Sequence, residues 1–306
     1  MKKPDFNIRE GAVLKGKWNS REYQIIRKLG SGACGTVYLC QSKGVKYALK
    51  VGLDSSRMML EVNMLKKFSK VQGVKLGPYF VDVDDWVERS GKTLPFYVME
   101  YVHGVSLHSF LQGKTKEWIG LCAVQLLVDL EHLHKAGFIF GDLKTDNLLV
   151  SGSRLRWIDV GGVTSFDRAI KEYTEFYDRG YWDHGSRRAE PGYDLFALTM
   201  IMLEMAYPKR FEKGKDPKKT LEAKLGHSVL LKPYQKIIQK CWQGKYQSAS
   251  EMKDELAAML MKTNKKTATN RASRHNKKES FAWGEITAVS VVVGVIYGMS
   301  IWSGLM

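Results

Sequence analysis

Leu29-Gly30-Ser31-Gly32-Ala33-Cys34-Gly35-Thr36-Val37 runs straight on into Tyr38-Leu39, so its GxGxxG glycines are followed by a strand-forming segment. A dinucleotide-binding turn would be followed by a helix, and that reading fails here. The glycines instead predict a hairpin whose bare backbone lets N–H groups approach phosphates. Taken alone, the motif fits a purely structural hairpin equally well. Its flanks read as short strands at Tyr23–Leu29, Thr36–Gln41 and Lys46–Gly52, separated by glycine-bearing turns.

Further out, other residues complete a pattern. Tyr47-Ala48-Leu49-Lys50 places a lysine on the inner face of the third strand. Arg57–Phe68 has helical spacing and carries Glu61, within reach of Lys50. Phe140-Gly141-Asp142-Leu143-Lys144-Thr145-Asp146-Asn147 sets a lysine two residues and an asparagine five residues after an aspartate. Asp159-Val160-Gly161 follows after a short hairpin.

At these residues the chain resembles the Hanks-type (eukaryotic-like) bacterial serine/threonine protein kinases, whose GxGxxGxV, AxK, DxKxxN and DxG motifs it carries in order. The resemblance implies an α+β, bilobal kinase fold, with a β-rich N-lobe at about 18–100 and a helical C-lobe at about 101–261. It implies ATP bound by Gly30, Ser31, Gly32, Gly35, Val37, Ala48, Lys50, Glu100 and Leu149, with Val37 and Ala48 above the adenine and Leu149 below. Met99 falls at the gatekeeper position, and Leu65, Phe140 and Val160 in an apolar column. Lys50, oriented by Glu61, would hold the α- and β-phosphates. Asn147 and Asp159 would bind Mg²⁺ (or Mn²⁺), a hard cation suited to oxygen ligands. Asp142 would take the hydroxyl proton while Lys144 neutralises the transferred phosphoryl group. Phosphoryl transfer needs positioning and charge more than covalent chemistry, which suits these residue types.

The departures are also informative. Phe140-Gly141 stands where His-Arg is usual, so Gly141 offers no guanidinium to a phosphate at Thr164 or Ser165. No Ala-Pro-Glu is visible, and the arginine that would pair with its glutamate is missing around 245–247; the reading is that both members of an ion pair are lost together. Asp194 opens an apolar helix, as a cap or as a tie for the catalytic-loop backbone. Phe140-Gly-Asp-Leu-Lys, Ile158-Asp-Val-Gly-Gly and the 170–182 and 189–197 stretches are similar to the YabT-type membrane-anchored kinases of spore-forming bacilli. That similarity implies a role in sporulation. It also places Thr174 against the catalytic Asp and Lys.

The whole chain of 306 residues is long enough for two lobes. Its 48 Lys+Arg against 32 Asp+Glu give +16, which predicts attraction to polyanions and says nothing of fold. Cys34, Cys40, Cys122 and Cys241 have no zinc spacing and fit a reducing compartment. Met1–Glu10 has no apolar core of a signal peptide. Trp118–Lys135 and Asp194–Tyr207 read as helices, the second apolar on nearly every face.

Composition then changes. After a folded unit at 1–261, residues 262–285 read as a basic solvated juxtamembrane linker carrying Lys262, Lys265, Lys266, Arg271, Arg274, Lys277 and Lys278. Residues 286–306 hold no Asp, Glu, Lys, Arg or His and would span about 31 Å as a helix, enough for one transmembrane pass. The linker charges predict a cytoplasmic kinase, with the N-terminus inside and the C-terminus outside. They also predict binding of non-specific DNA or anionic phospholipid, at roughly 1 kcal/mol per charge at a lipid surface. Ser290, Gly294 and Gly298 form a small-residue ridge suited to a homodimer through the membrane helix. Two other classes stand beside a protein kinase: a non-catalytic nucleotide-binding scaffold (a pseudokinase) and a small-molecule kinase of the same fold. The intact Lys50, Asp142, Asn147 and Asp159 weigh against the first, Lys144 and the 174–182 stretch against the second.

Overall fold

Alternation along adjacent strands sorts the N-terminal residues onto two faces of one sheet. The computed structural model describes residues 6–32, 34–68, 76–88, 90–207 and 209–272. Strands β1 (Val13–Lys15), β2 (Glu22–Gly32), β3 (Gly35–Ser42), β4 (Val45–Val51), β5 (Phe80–Val87) and β6 (Thr93–Glu100) form a six-stranded antiparallel sheet in the order β1-β2-β3-β4-β6-β5. Tyr38 and Cys40 of β3, Leu49 and Val51 of β4, and Phe96 and Val98 of β6 share one core with Leu14, Tyr23, Ile25 and Leu94. Strand side chains point to opposite faces in turn, so Val37, Ala48, Lys50, Tyr97 and Met99 belong to the other face. Register aligns them: Val37 pairs with Lys50 and Lys50 with Tyr97, while Ala48 pairs with Met99.

Helix α1 (Ser55–Phe68) buries Met58, Glu61, Val62, Leu65 and Phe68, a three-and-four spacing that turns Glu61 inward with the apolar residues. The same unit also holds β7 (Val105–Ser106), β9 (Leu148–Ser151) and β10 (Arg154–Trp157), hydrogen-bonded as β10-β9-β7. The described residues thus divide into one compact unit up to 106 with 146–163 and a second of 107–145 with 164–272. A single boundary near residue 100 is therefore corrected. The β9–β10 hairpin follows the catalytic loop in sequence, yet it pairs with β7 and takes Asn147 and Asp159 into the strand-rich unit.

The second unit is mainly helical: α2 (Leu107–Leu111), α3 (Glu117–Lys135), α4 (Pro191–Ala206), α5 (Pro217–His227), α6 (Gln235–Trp242) and α7 (Ala249–Ala272), with the short pair β8 (Phe138–Ile139) and β11 (Thr164–Ser165). Helix α4 begins at Pro191, three residues ahead of Asp194, because proline suits the first helical turn. Every residue from Tyr193 to Leu203 is buried, as its all-round apolar sequence requires.

Helix α7 lays Met252, Leu256 and Leu260, at most 3% exposed, along one face and packs on α3. It does not stop at 261 as expected; the helical backbone continues to Ala272. Extending a formed helix avoids the cost of nucleation, and lysine, alanine and arginine are good formers, so polar composition alone did not end it. Residues 273–306, with the expected membrane helix at 286–306 and its Ser290, Gly294 and Gly298, lie outside the described residues. Among the described residues no helix is long and apolar enough to cross a membrane.

Gly120 of α3 lies against Leu260 of α7 and Tyr234. A Cβ there would stand 2.7 Å from Tyr234 Oη and 2.9 Å from Leu260 Cδ2. Helix propensity alone predicts that a side chain stabilises this position. Overpacking should win: Gly120→Val is expected to cost about 1–3 kcal/mol and lower the thermal midpoint, read by calorimetry. A midpoint at or above the parent's would show that α7 is not seated on α3 this way.

Candidate active site

The strand-rich unit assembles the nucleotide side. Lys50 Nζ donates to Glu61 Oε2 at 2.6 Å, with the lysine 5% and the glutamate 4% exposed. Tyr97, opposite Lys50 in the sheet, donates its hydroxyl to the same oxygen at 2.7 Å. Burial alone would lower the Lys50 pKa, but the charges of Asp159 and Glu61 outweigh it and hold the pKa above its ordinary value. Burial and those same carboxylates keep Tyr97 protonated well past its usual range, so it remains a donor. Tyr97 escaped sequence reasoning because only the β4–β6 register brings it to Lys50.

Asn147 is 8% exposed, and its carbonyl accepts from Ile158 N–H at 3.0 Å, which holds it beside the residue preceding Asp159. Asp159 Oδ1 accepts from Gly161 N–H at 2.9 Å. A Cβ on Gly161 would lie 3.1 Å from Glu61 Oε1, so the glycine lets this loop pass close to the ion pair. A Cβ on Gly30 or Gly32 would meet open space, which leaves room for phosphate oxygens beside that backbone. Ser31, between them, is exposed and pairs with Thr36 across the hairpin, as Gly32 does with Gly35. Among the described residues no cluster of three His, Cys, Asp or Glu could hold a metal unaided. The amide of Asn147 and the carboxylate of Asp159 are two hard oxygen donors, which suits Mg²⁺ shared with a nucleotide's phosphates. These residues therefore fit ATP with a divalent cation.

Glu100, expected beside ATP, has its amide and carboxylate engaged within the strand-rich unit. Its N–H goes to Tyr79 O at 2.9 Å, and its carboxylate accepts from Arg156 at 2.8 Å. Arg156 also reaches Gly77 O at 3.2 Å, so the pair ties β6 to β10 beneath the nucleotide residues. Leu149 and Val37 are half-buried and Ala48 is buried, as lining residues would be. Leu65, Phe140 and Val160, expected in an apolar column, are each at most 4% exposed.

The helical unit assembles the acceptor side. Lys144 Nζ donates to Asp142 Oδ2 and, at 3.2 Å, to Thr174 Oγ1. Thr174 donates to Asp142 Oδ1 at 3.0 Å. A carboxylate held between an ammonium and a hydroxyl is placed to take the proton of an incoming alcohol. Asp194 anchors the loop by accepting from Phe140 N–H at 2.8 Å and Gly141 N–H at 3.0 Å. It is no helix cap; its position inside α4 leaves both oxygens for the catalytic loop. Its Oδ2 also meets His134 Nε2 at 2.9 Å, with both side chains buried. His134, on α3, brings an imidazole to this loop in a chain that has Phe140 where histidine is usual. Gly141 has φ +79°, a left-handed backbone that glycine adopts without the strain a side chain would add.

The Thr174–Trp182 stretch carries charge pairs of its own. Arg179, 7% exposed, donates to Glu190 Oε1 and to Ser186 O, each at 2.6 Å. Asp178, 1% exposed, accepts from Arg187, from Tyr193 Oη at 3.0 Å and from two backbone N–H groups. Both partners of each pair come from within a dozen residues, unlike a pairing with a distant arginine around 245–247.

Two variants separate chemistry from positioning. Asp142→Asn should lower phosphoryl transfer about 10²–10⁴-fold at an unchanged thermal midpoint, since a positioned base contributes that much. Tyr97→Phe keeps the ring but removes one donor to Glu61, and should lower kcat by about three- to tenfold. Steady-state kinetics decide both; parental turnover in Asp142→Asn would remove it from the base role.

Comparison with known proteins agrees with this geometry. Residues 23–281 match the protein kinase domain. The serine/threonine-protein kinase YabT of Bacillus subtilis is 47% identical over 253 residues, 82% of this chain and 75% of that protein. The cAMP-dependent protein kinase type 3 of Saccharomyces cerevisiae is 29% identical over 156 residues, 49% of this chain and 38% of its own. The solved structure of vaccinia related kinase 3 matches with a TM-score of 0.58 at 17% identity, covering 85% of this chain and 93% of that one, a likeness of fold. With the scaffold and small-molecule readings set aside, the chain belongs to the protein kinase family and is a serine/threonine protein kinase.

Proposed function

We propose that this kinase works at a membrane, uses Mg²⁺ with ATP, and is stimulated by a polyanion bound to its basic C-terminal segment. The observation that carries the reading is the unbroken course of α7. Its packed part lies on α3, and its backbone continues as helix through Lys262, Lys265, Lys266 and Arg271. Lys262 is exposed, and Arg274, Lys277 and Lys278 lie outside the described residues. Buried Lys253 of α7 donates to Glu131 of α3 at 2.9 Å. Three residues further along α3, His134 holds Asp194, and Asp194 holds the catalytic loop. A polyanion drawn to 262–278 would thus act on a helix mechanically joined to the acceptor machinery.

The anchor rests on the uncharged run 286–306, and its basic flank supports a cytoplasmic kinase domain. The Ser290, Gly294 and Gly298 ridge supports pairing of two such helices and phosphorylation in trans. Similarity to YabT-type kinases supports a role around sporulation. Duplex DNA and anionic phospholipid are the two polyanions to compare, with protein serine or threonine residues as acceptors.

Lys/Arg→Ala across 262–278 in the full chain should abolish binding to duplex DNA and to anionic vesicles, together with stimulation by either. The basal rate should persist. Parental binding should weaken steeply between low and moderate salt, as counterion release requires. Stimulation that survives the substitutions would place the regulatory site elsewhere, and a chain that ignores both polyanions at low salt would end this reading.

A further inference from the structure

Just past the acceptor aspartate, the helical unit spends one carboxylate and sets out a row of cations. Glu204, at the end of α4, accepts from Thr145 Oγ1 at 2.9 Å, from Tyr177 Oη and from Arg210 Nε at 2.7 Å. Arg210 also reaches Thr145 Oγ1 at 3.4 Å, so the guanidinium adjoins the residue that follows Lys144. With three donors on it, Glu204 has little capacity left for a basic side chain arriving from outside.

Around it, cations lie over ring faces. Arg187 stacks on Tyr173 at 4.2 Å, Arg210 on Tyr177 at 5.1 Å, and Lys213 on Tyr181 at 4.3 Å. Lys213 also donates to Tyr181 O at 3.3 Å and is exposed. Lys224 lies over Tyr207 and Phe211 at about 5 Å. Those rings fix the cations in place, so they cannot sweep freely through solvent. From Tyr207 to Lys224 there are seven Lys or Arg and three Asp or Glu, with Lys209, Lys213, Lys215, Lys218 and Lys219 all exposed. Three residues of chain separate Asp142 from Thr145, at most about 11 Å, which an extended substrate spans in about three residues.

We propose that this surface selects protein substrates whose acceptor serine or threonine is flanked by aspartate or glutamate within about three residues. The inference rests on the protein-kinase reading of the same site and names its substrate class. A peptide is favoured over nucleic acid here because the cations adjoin Thr145 and the Thr174–Tyr181 segment, where a polypeptide must lie to present its hydroxyl to Asp142. Charge complementarity at an exposed surface of this kind acts through several modest contacts.

The test uses the full chain in detergent with two serine peptides of equal length, one flanked by Asp and Glu and the other by Lys and Arg. Autophosphorylation is followed in parallel. The acidic peptide should have the higher kcat/KM by about tenfold or more, with the ratio shrinking as salt rises. Lys209→Glu with Lys213→Glu should bring the ratio to near one or invert it. Equal use of both peptides, or preference for the basic one, overturns the inference while the kinase assignment stands. A parental ratio in the double variant overturns it too, and if that variant instead loses retention on duplex DNA, the patch is a nucleic-acid surface. Absence of transfer to either peptide and to the chain itself would be a failure of the kinase reading.

Discussion

An ammonium and a carboxylate that are both out of water set the terms for the nucleotide side. Lys50 and Glu61 are each about 5% exposed, and burying either without the other would leave an uncompensated charge costing several kcal/mol. The neighbourhood answers that constraint. Tyr97 supplies a second donor to Glu61, Asp159 a second negative charge to Lys50, and Gly161 the absence of a side chain where the loop passes Glu61. The helpers come from β6 and from the loop that follows β10. The strand register, the inward face of α1 and the β9–β10 hairpin therefore have to be correct together before Lys50 can face a phosphate.

The acceptor side solves the same problem around Asp194. A carboxylate at 0% exposure collects two backbone N–H groups of the catalytic loop and one imidazole nitrogen. His134 reaches it from the end of α3, six residues ahead of the loop it supports. Loop geometry then follows: Gly141 bends through a left-handed conformation, and Asp142 emerges between Lys144 and Thr174. The proton-accepting group is thus held by bonds that exist before any substrate arrives, which is what preorganisation requires.

Motif spacing made the chemistry legible. Lys50, Glu61, Asp142, Lys144, Asn147 and Asp159 all announce their roles through residue type and interval, and the structure brings them into two coherent groups. What stayed hidden depends on register and on tertiary pairing. Tyr97 is one of many aromatic strand residues until β4 and β6 align. His134 is a helix-end histidine until α4 packs beside it. The β5 strand Phe80–Val87 carries Asp82, Asp84 and Asp85, residues poor in strand propensity. They are tolerated because Trp18, Asn19 and Tyr23 satisfy the first two with hydrogen bonds, and the Trp18 indole satisfies the third. The course of α7 past 261 is hidden for the opposite reason: the polar composition of 262–272 suggests a solvated linker, while a helix already under way needs no apolar face to continue.

The segment after β11 carries the last step of the argument. Thr164 and Ser165 are held by backbone pairing to Ile139 and Phe138. Beyond them, Asp178 with Arg187 and Arg179 with Glu190 close two charge pairs inside the segment itself. The loop thus neutralises its own buried Asp178 and Arg179, and Gly141 contributes no cation beside Asp142. Order in this segment is therefore intrinsic to the sequence. The proposed control through the basic segment would enter by an element outside that internal network. Among the helices packed on the acceptor machinery, α7 rests on α3 through Met252, Leu256 and Leu260, and its helical backbone runs on through Lys262, Lys265, Lys266 and Arg271.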